Sequence, residues 1–338
     1  MLSFVMLVIG FVLLVWGADK FVEGASALAR KMGVSPLLVG LTIVAFGTSM
    51  PELAVSVTAA LRGANEIAVG NVVGSNIFNV FVILGICALI RPLVLTKENI
   101  RRDIPFGMAA SLVLLAVTSD RLVCAGATDR IGRPDGIVML ALYIGLMWYM
   151  IRTTKRQRSM PGAATGMTVP VSGAALKNGA QHAEGTKKPM ALWLAGVMIA
   201  GGLAGLIFGG EMFLKSATAI ARTLGISESV IAITLVAGGT SLPELASSVV
   251  SLLKGKAEMA LGNVIGSNIA NILLILGISA TIHPLTMGGI TLTDILVVVL
   301  SSLLLFMAAF TFRSKKLDRW EGAIFLAIYI AYIWYLIR

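Results

Sequence analysis

Apolar runs long enough to cross a bilayer recur along the whole chain, separated by short polar clusters. They predict ten helical spans, at about 2–29, 34–61, 66–90, 104–120, 136–152, 190–221, 226–253, 258–282, 288–312 and 321–337. The alternating pattern of a membrane β-barrel is absent, so the backbone is expected to satisfy its own hydrogen bonds within helices. The first and sixth runs are long enough to predict tilted helices. Residues 153–189 break the pattern: they are rich in Gly, Ala, Thr and basic residues and lack apolar periodicity over most of their length, which reads as a flexible linker. The linker separates an N-terminal half, 1–152, from a C-terminal half, 190–338.

The two halves are copies. GTSMPELA at 47–54 recurs as GTSLPELA at 239–246, and GNVVGSNIFN at 70–79 recurs as GNVIGSNIAN at 262–271. Aligned at that offset, residues 33–93 match 225–285 without a gap, and more than half of the positions are identical. Shared apolar composition would exchange Leu for Ile at random, but it would not keep Ser, Asn, Pro and Glu in register. Each half holds five spans, an odd number, so the second copy enters the membrane with the opposite orientation. The expected fold is an all-α polytopic membrane protein of two inverted five-helix repeats, with helices 2 and 7 broken and a substrate site near the midplane.

Composition agrees: 57% of residues are hydrophobic, 13% are charged, and the mean hydropathy is +0.91. The net charge of +10 would suggest nucleic acid in a soluble protein, but here the bases lie mostly in loops beside the spans, where they set orientation. Placing the linker in the cytoplasm puts 19 Lys and Arg inside against six outside, which predicts both termini outside and a multi-pass protein of the cell (inner) membrane. No base precedes Lys20, so the first span is expected to be retained rather than cleaved. The expected environment is the lipid bilayer, with no nucleic acid and no protein partner. Cys87 and Cys124 form no metal or redox spacing, and His182 and His283 fall in the linker and a loop. No HExxH sequence and no core pairing of Ser with His is present, so neither an enzyme nor a cofactor is expected.

The chemistry lies in the repeated motifs. A charged side chain near the bilayer centre costs roughly 2.5–3.5 kcal/mol, so an acid there usually faces a cavity or a partner. Glu52 and Glu244 occupy matched positions, and no Lys or Arg within the surrounding spans can neutralise them. Protons or bound cations remain as counter-charges. Pro51 and Pro243 immediately precede the acids, and each removes a helical hydrogen bond, freeing carbonyl oxygen beside the carboxylate. Ala45, Thr48, Ser49 and Glu52 can then offer carbonyl, hydroxyl and carboxylate oxygens to one cavity. In the next span Asn71, Ser75 and Asn79 share a face at i, i+4 and i+8, as do Asn263, Ser267 and Asn271. Asn71, Asn263, Asn76 and Asn268 can equally brace the broken helices. Glu66 and Glu258 open their spans and suit helix N-termini, while the matched Asp19 and Glu211 fit either an ion pathway or the membrane interface. A donor set made only of oxygen suits hard cations, Ca²⁺ in particular.

The doubled GTSxPE and GNxxGSN motifs in inverted halves resemble the α-repeats of the Ca²⁺/cation antiporter superfamily, specifically its prokaryotic Na⁺/Ca²⁺ exchanger-like members. The resemblance implies a secondary active antiporter that exchanges Ca²⁺ for Na⁺ by alternating access; the alternative is a divalent cation/H⁺ exchanger using the same two glutamates. It also implies a cluster of cation ligands: Glu52 and Glu244, Thr48, Ser49, Thr240 and Ser241, the carbonyls of Ala45 and Ala237, Ser75 and Ser267, and Asn79 and Asn271. Some members of that family carry Asp at one of the last two positions, whereas this chain has an amide at both. Two carboxylates remain, whose charge one Ca²⁺ or two Na⁺ would balance. The family likeness further implies that spans 1 and 6 form a sliding gate.

Overall fold

The computed structural model describes residues 2–119, 129–158, 190–225, 237–311 and 315–337, and these are overwhelmingly helical. The first half contains α1 (Leu2–Met32), α2 (Pro36–Thr48), α3 (Met50–Leu61), α4 (Asn65–Ile90), α5 (Ile104–Val117) and α6 (Arg133–Arg158). The second contains α7 (Leu192–Thr223), α8 (Leu242–Leu253), α9 (Ala257–Ile282), α10 (Leu292–Ala308) and α11 (Arg319–Ile337), with a short helical turn, Ala237–Gly239, before α8. Among the described residues six helices are long and apolar enough to cross a membrane, or seven if α2 and α3 count as one bent span.

The predicted break in the second span falls at Ser49, where α2 and α3 meet at 47°. Pro51 sits in the first turn of α3, where its missing N–H costs least, and Pro243 does the same in α8. Residues 226–236, the first part of the seventh predicted span, lie outside the described residues. So does most of the linker, 159–189. Residues 153–158, assigned to the linker by the sequence pattern, continue α6 by more than a turn.

The two copies of the third span form the centre. In α4 and α9, 72% and 78% of the most apolar stretch is buried, against 17% in α6 and in α11. Each half's last helix packs on the other half's third span: α6 lies on α9 and α11 lies on α4. Glycine permits both approaches, since a Cβ on Gly136 would stand 2.7 Å from the Gly277 carbonyl and one on Gly322 would stand 2.8 Å from the Gly85 carbonyl. Short antiparallel strands tie the halves in the same reciprocal way. β1 (Leu93–Val94) pairs with Lys316–Leu317, and Arg130–Ile131 pairs with Leu285–Thr286.

α1 and α7 run antiparallel along a seam of small residues and form a second, smaller core with part of α2. Gly10 meets Phe213, Gly17 meets Leu206, and Gly24 meets Ala195 and Ile199; a Cβ on Gly17 would stand 2.5 Å from the Leu206 amide nitrogen. Such close backbone approach is how apolar helices gain dispersion energy where lipid removes the hydrophobic driving force.

Candidate functional site

The GTSxPE and GNxxGSN segments of both halves converge at the centre of the molecule. Thr48, Ser49, Glu52, Ser75, Asn79, Ser241, Glu244, Ser267 and Asn271 are all buried, and Thr240 is half-buried. Ala45 is buried beside them, and Ala237 opens the turn that precedes α8. Glu52 and Glu244 stand in the first turns of α3 and α8, where the helix dipole favours an anion.

The contacts cross between the halves. Ser49 Oγ donates to Glu244 Oε1 at 2.8 Å, and the matched Ser241 Oγ donates to Glu52 Oε1 at 3.1 Å. Each carboxylate is therefore held through one oxygen by the hydroxyl of the opposite copy. Thr48 Oγ1 lies 3.2 Å from Asn263 Oδ1, and Thr240 Oγ1 lies 3.2 Å from Asn71 Oδ1. Thr48 has the carbonyl of Val44 as a competing acceptor at 3.1 Å.

The two asparagines complete the brace. Asn71 Nδ2 donates to the Glu52 carbonyl at 3.1 Å and to Ser56 Oγ at 2.9 Å, while Asn263 Nδ2 reaches the Glu244 carbonyl at 3.3 Å and the Ser247 and Ser248 hydroxyls at 2.9 Å. Of the two readings open for these residues, the geometry shows bracing: both amide ends are engaged by protein. Ser56 and Ser248 were not singled out from sequence, although their identity at matched positions was a usable signal. Asn79 Nδ2 donates to Asn268 Oδ1 at 3.0 Å across the halves, whereas Asn76 turns back to the Val72 carbonyl at 2.7 Å. The reciprocal Asn271–Asn76 bond is not formed. Asn79 and Asn271 both lie in π-helical stretches, Asn79–Leu84 and Ala270–Leu276, a widening of the helix common at functional sites.

Backbone oxygen is distributed differently from the simplest expectation. The Ala45 carbonyl accepts the Ser49 amide at 3.0 Å and also lies 3.5 Å from Ser267 Oγ. Pro51, lacking an N–H, leaves the Gly47 carbonyl without its helical donor, and Pro243 does the same for Gly239.

The unpaired buried atoms gather on the same residues. Glu52 Oε2, Glu244 Oε2, Ser75 Oγ, Asn79 Oδ1 and both amide atoms of Asn271 have no hydrogen-bond partner among the described residues. Leaving one such group buried and unpaired costs about 1–3 kcal/mol, and more for a charge. Elsewhere such atoms are mostly scattered hydroxyls, as at Ser119, Ser251 and Ser279. Two facing carboxylates with spare oxygens, surrounded by hydroxyl and amide oxygen, can be relieved together by a hard cation. Among the described residues no three His, Cys, Asp or Glu side chains converge, and the donors gathered here are oxygens, the type that suits hard cations.

Comparison with known proteins agrees. The family profile described as "Sodium/calcium exchanger protein" matches residues 2–152 and 194–338. The chain belongs to this sodium/calcium exchanger family. It is 35% identical over 330 residues to the putative antiporter CaxA of Alkalimonas amylolytica, covering 97% of this chain and 96% of that protein. It is 32% identical to the sodium/calcium exchanger MaX1 of Methanosarcina acetivorans, covering 98% and 97% of the two chains. A solved structure of the sodium-calcium exchanger NCX_Mj superposes with a TM-score of 0.78 at 32% identity over 99% of each chain. The exchanger family comprises transporters, not enzymes, and this chain is an integral multi-pass membrane protein, a cation antiporter of the Na⁺/Ca²⁺ exchanger type.

Proposed function

We propose that this exchanger moves Ca²⁺ in one direction against Na⁺ in the other by alternating access, with both ions competing for the cluster around Glu52 and Glu244. One observation carries the reading: each carboxylate is steadied by the opposite copy's serine, and its second oxygen stays buried and unpaired. The ligands are Glu52, Glu244, Thr48, Ser49, Thr240, Ser241, Ser75, Ser267, Asn79 and Asn271, with the carbonyls of Ala45 and Ala237. Ten spans arranged as two inverted repeats, 1–152 and 190–338, place this cluster near the midplane. The 153–189 linker is cytoplasmic and both termini face outward in the cell membrane, following the distribution of basic residues. Asn71 and Asn263 act as positioning residues that fix the acids and orient the threonine hydroxyls.

Proteoliposomes loaded with Na⁺ test the proposal through uptake of radiolabelled Ca²⁺. Uptake should follow the Na⁺ gradient and be lost in Glu52→Gln and in Glu244→Gln, each of which should still assemble as a monodisperse protein. Uptake unaffected by collapsing the Na⁺ gradient would refute it, and uptake driven by a pH gradient in Na⁺-free medium would transfer the same site to H⁺ exchange.

A further inference from the structure

The duplication extends to charges that the ion site does not use. Asp19 in α1 matches Glu211 in α7, and Arg62, in the turn after α3, matches Lys254, in the turn after α8. Both turns close on a glycine with positive φ, Gly63 at 71° and Gly255 at 73°, so the two bases leave their helices in the same local geometry. Matched residues in matched turns would be expected to make matched ion pairs.

They do not. Lys254 Nζ lies 2.6 Å from Asp19 Oδ1 and also donates to the Asp19 carbonyl at 3.0 Å. Glu211 instead pairs along its own helix with Lys215 at 2.6 Å, and Arg62 is exposed without an ion pair among the described residues. Packing is asymmetric in the same sense: α1 lies extensively against α8, and α7 does not lie against α3 in that way. Each acid also has a nearby base of its own. Lys20 stands 3.5 Å from Asp19 Oδ2 and 3.8 Å from Glu23, and Lys215 serves Glu211. An acid released from its distant partner would therefore not be left bare.

We propose that Asp19–Lys254 and Glu211–Arg62 are alternating latches: the first is closed in the access state seen here, and the second closes in the opposite state as the α1–α7 pair shifts against the remaining helices. This inference rests on the inverted-repeat exchange reading above. In an inverted repeat the two access states are related by exchanging the conformations of the halves, so a contact made by one copy in one state is made by its mate in the other. Lys254 lies on the cytoplasmic side in the proposed topology, so the latch closed here seals that side. The latches are partly exposed, so each biases the equilibrium modestly, by roughly 2- to 5-fold in population.

Two cysteine pairs in the full-length protein, with Cys87 and Cys124 replaced by Ser, test this in lipid nanodiscs with a short bifunctional thiol reagent. One pair replaces Asp19 and Lys254, the other Arg62 and Glu211. Across titrations with Na⁺ and Ca²⁺, any condition that raises one cross-link yield should lower the other. Adding Asp19→Asn to the 62/211 pair should raise its yield roughly 2- to 5-fold, and adding Glu211→Gln to the 19/254 pair should do the same for that pair. A 62/211 pair that never links, yields that rise and fall together, or no response to the added substitutions would overturn the latch. Na⁺-driven Ca²⁺ uptake with non-alternating links would refute the latch alone; alternating links with uptake driven only by a pH gradient would refute the ion assignment and leave the latch standing.

Discussion

If Asn263 positions Thr48 across the boundary between the halves, removing both groups should cost less than the sum of the two single losses, because the two share one hydrogen bond. Thr48→Val keeps the side-chain shape and deletes the hydroxyl that stands 3.2 Å from Asn263 Oδ1. Asn263→Ala deletes the acceptor and also frees the Glu244 carbonyl, Ser247 and Ser248. A neutral buried hydrogen bond contributes about 0.5–1.5 kcal/mol net, so the coupling in a double-mutant cycle should lie in that range. Converted at about 1.4 kcal/mol per tenfold, this is roughly a 2- to 12-fold departure from additivity in half-saturating Ca²⁺. The assay is Ca²⁺–Ca²⁺ exchange in proteoliposomes, which reports occupancy without a Na⁺ step, with size-exclusion profiles confirming assembly. The mirror cycle, Thr240→Val with Asn71→Ala, should give coupling of the same size, since Thr240 also lies 3.2 Å from its asparagine. The crossed pairs, Thr48 with Asn71 and Thr240 with Asn263, share no bond and should couple less. Coupling below about 0.3 kcal/mol in both direct cycles, or equal coupling in the crossed ones, would refute the positioning role.

Three other outcomes follow from the packing. Gly17→Leu would force a side chain into the seam, where even a Cβ stands 2.5 Å from the Leu206 amide; overpacking of about 1–3 kcal/mol should lower the thermal midpoint followed by tryptophan fluorescence, and an unchanged midpoint would deny the close α1–α7 contact. Tyr332→Phe removes the 2.7 Å bond to Asp294 Oδ1 that ties α11 to the capped start of α10, and should cost about 1.5–3 kcal/mol by the same measurement, while Asp294→Ala, which also destroys the capping box, should cost more. Burial, helped by repulsion from Lys254 and Arg30, pulls the Lys256 ammonium down to about 8. The unfolded chain, at about 10.4, holds that proton more tightly, so this group's contribution to stability is absent below about pH 8 and rises with pH toward about 10.4. Lys256→Met should flatten that part of the stability profile, and an unaltered slope would contradict the shift.

The candidate site was legible in the chain because a bilayer makes polar residues conspicuous. A glutamate after a proline in an apolar run needs a reason, and its recurrence in a second copy removed chance as that reason. The same argument was weaker for amides and hydroxyls. Asn71 and Asn79 read alike in sequence, both on one face of one span, yet in the structure one is tied to the Glu52 carbonyl and the other keeps an unpaired oxygen. Ser56 gains its place in the site only through the bond it accepts from Asn71. The charge of TTKRQR says where lipid ends, not where the helix ends, and α6 runs on to Arg158.

By itself the sequence determined the membrane environment, the duplication, and the oxygen-rich character of the centre, all of which depend on residue type and on spacing along one chain. Only the tertiary structure decided which serine meets which glutamate, which asparagines brace the glutamate carbonyls, and which of two matched acids holds its distant base. The pairings between the halves join residues 169 to 235 positions apart, and a symmetric sequence carries no preference between the two ways of making them. Packing breaks the tie: α1 lies along α8, and that placement gives Asp19 a partner that Glu211 lacks.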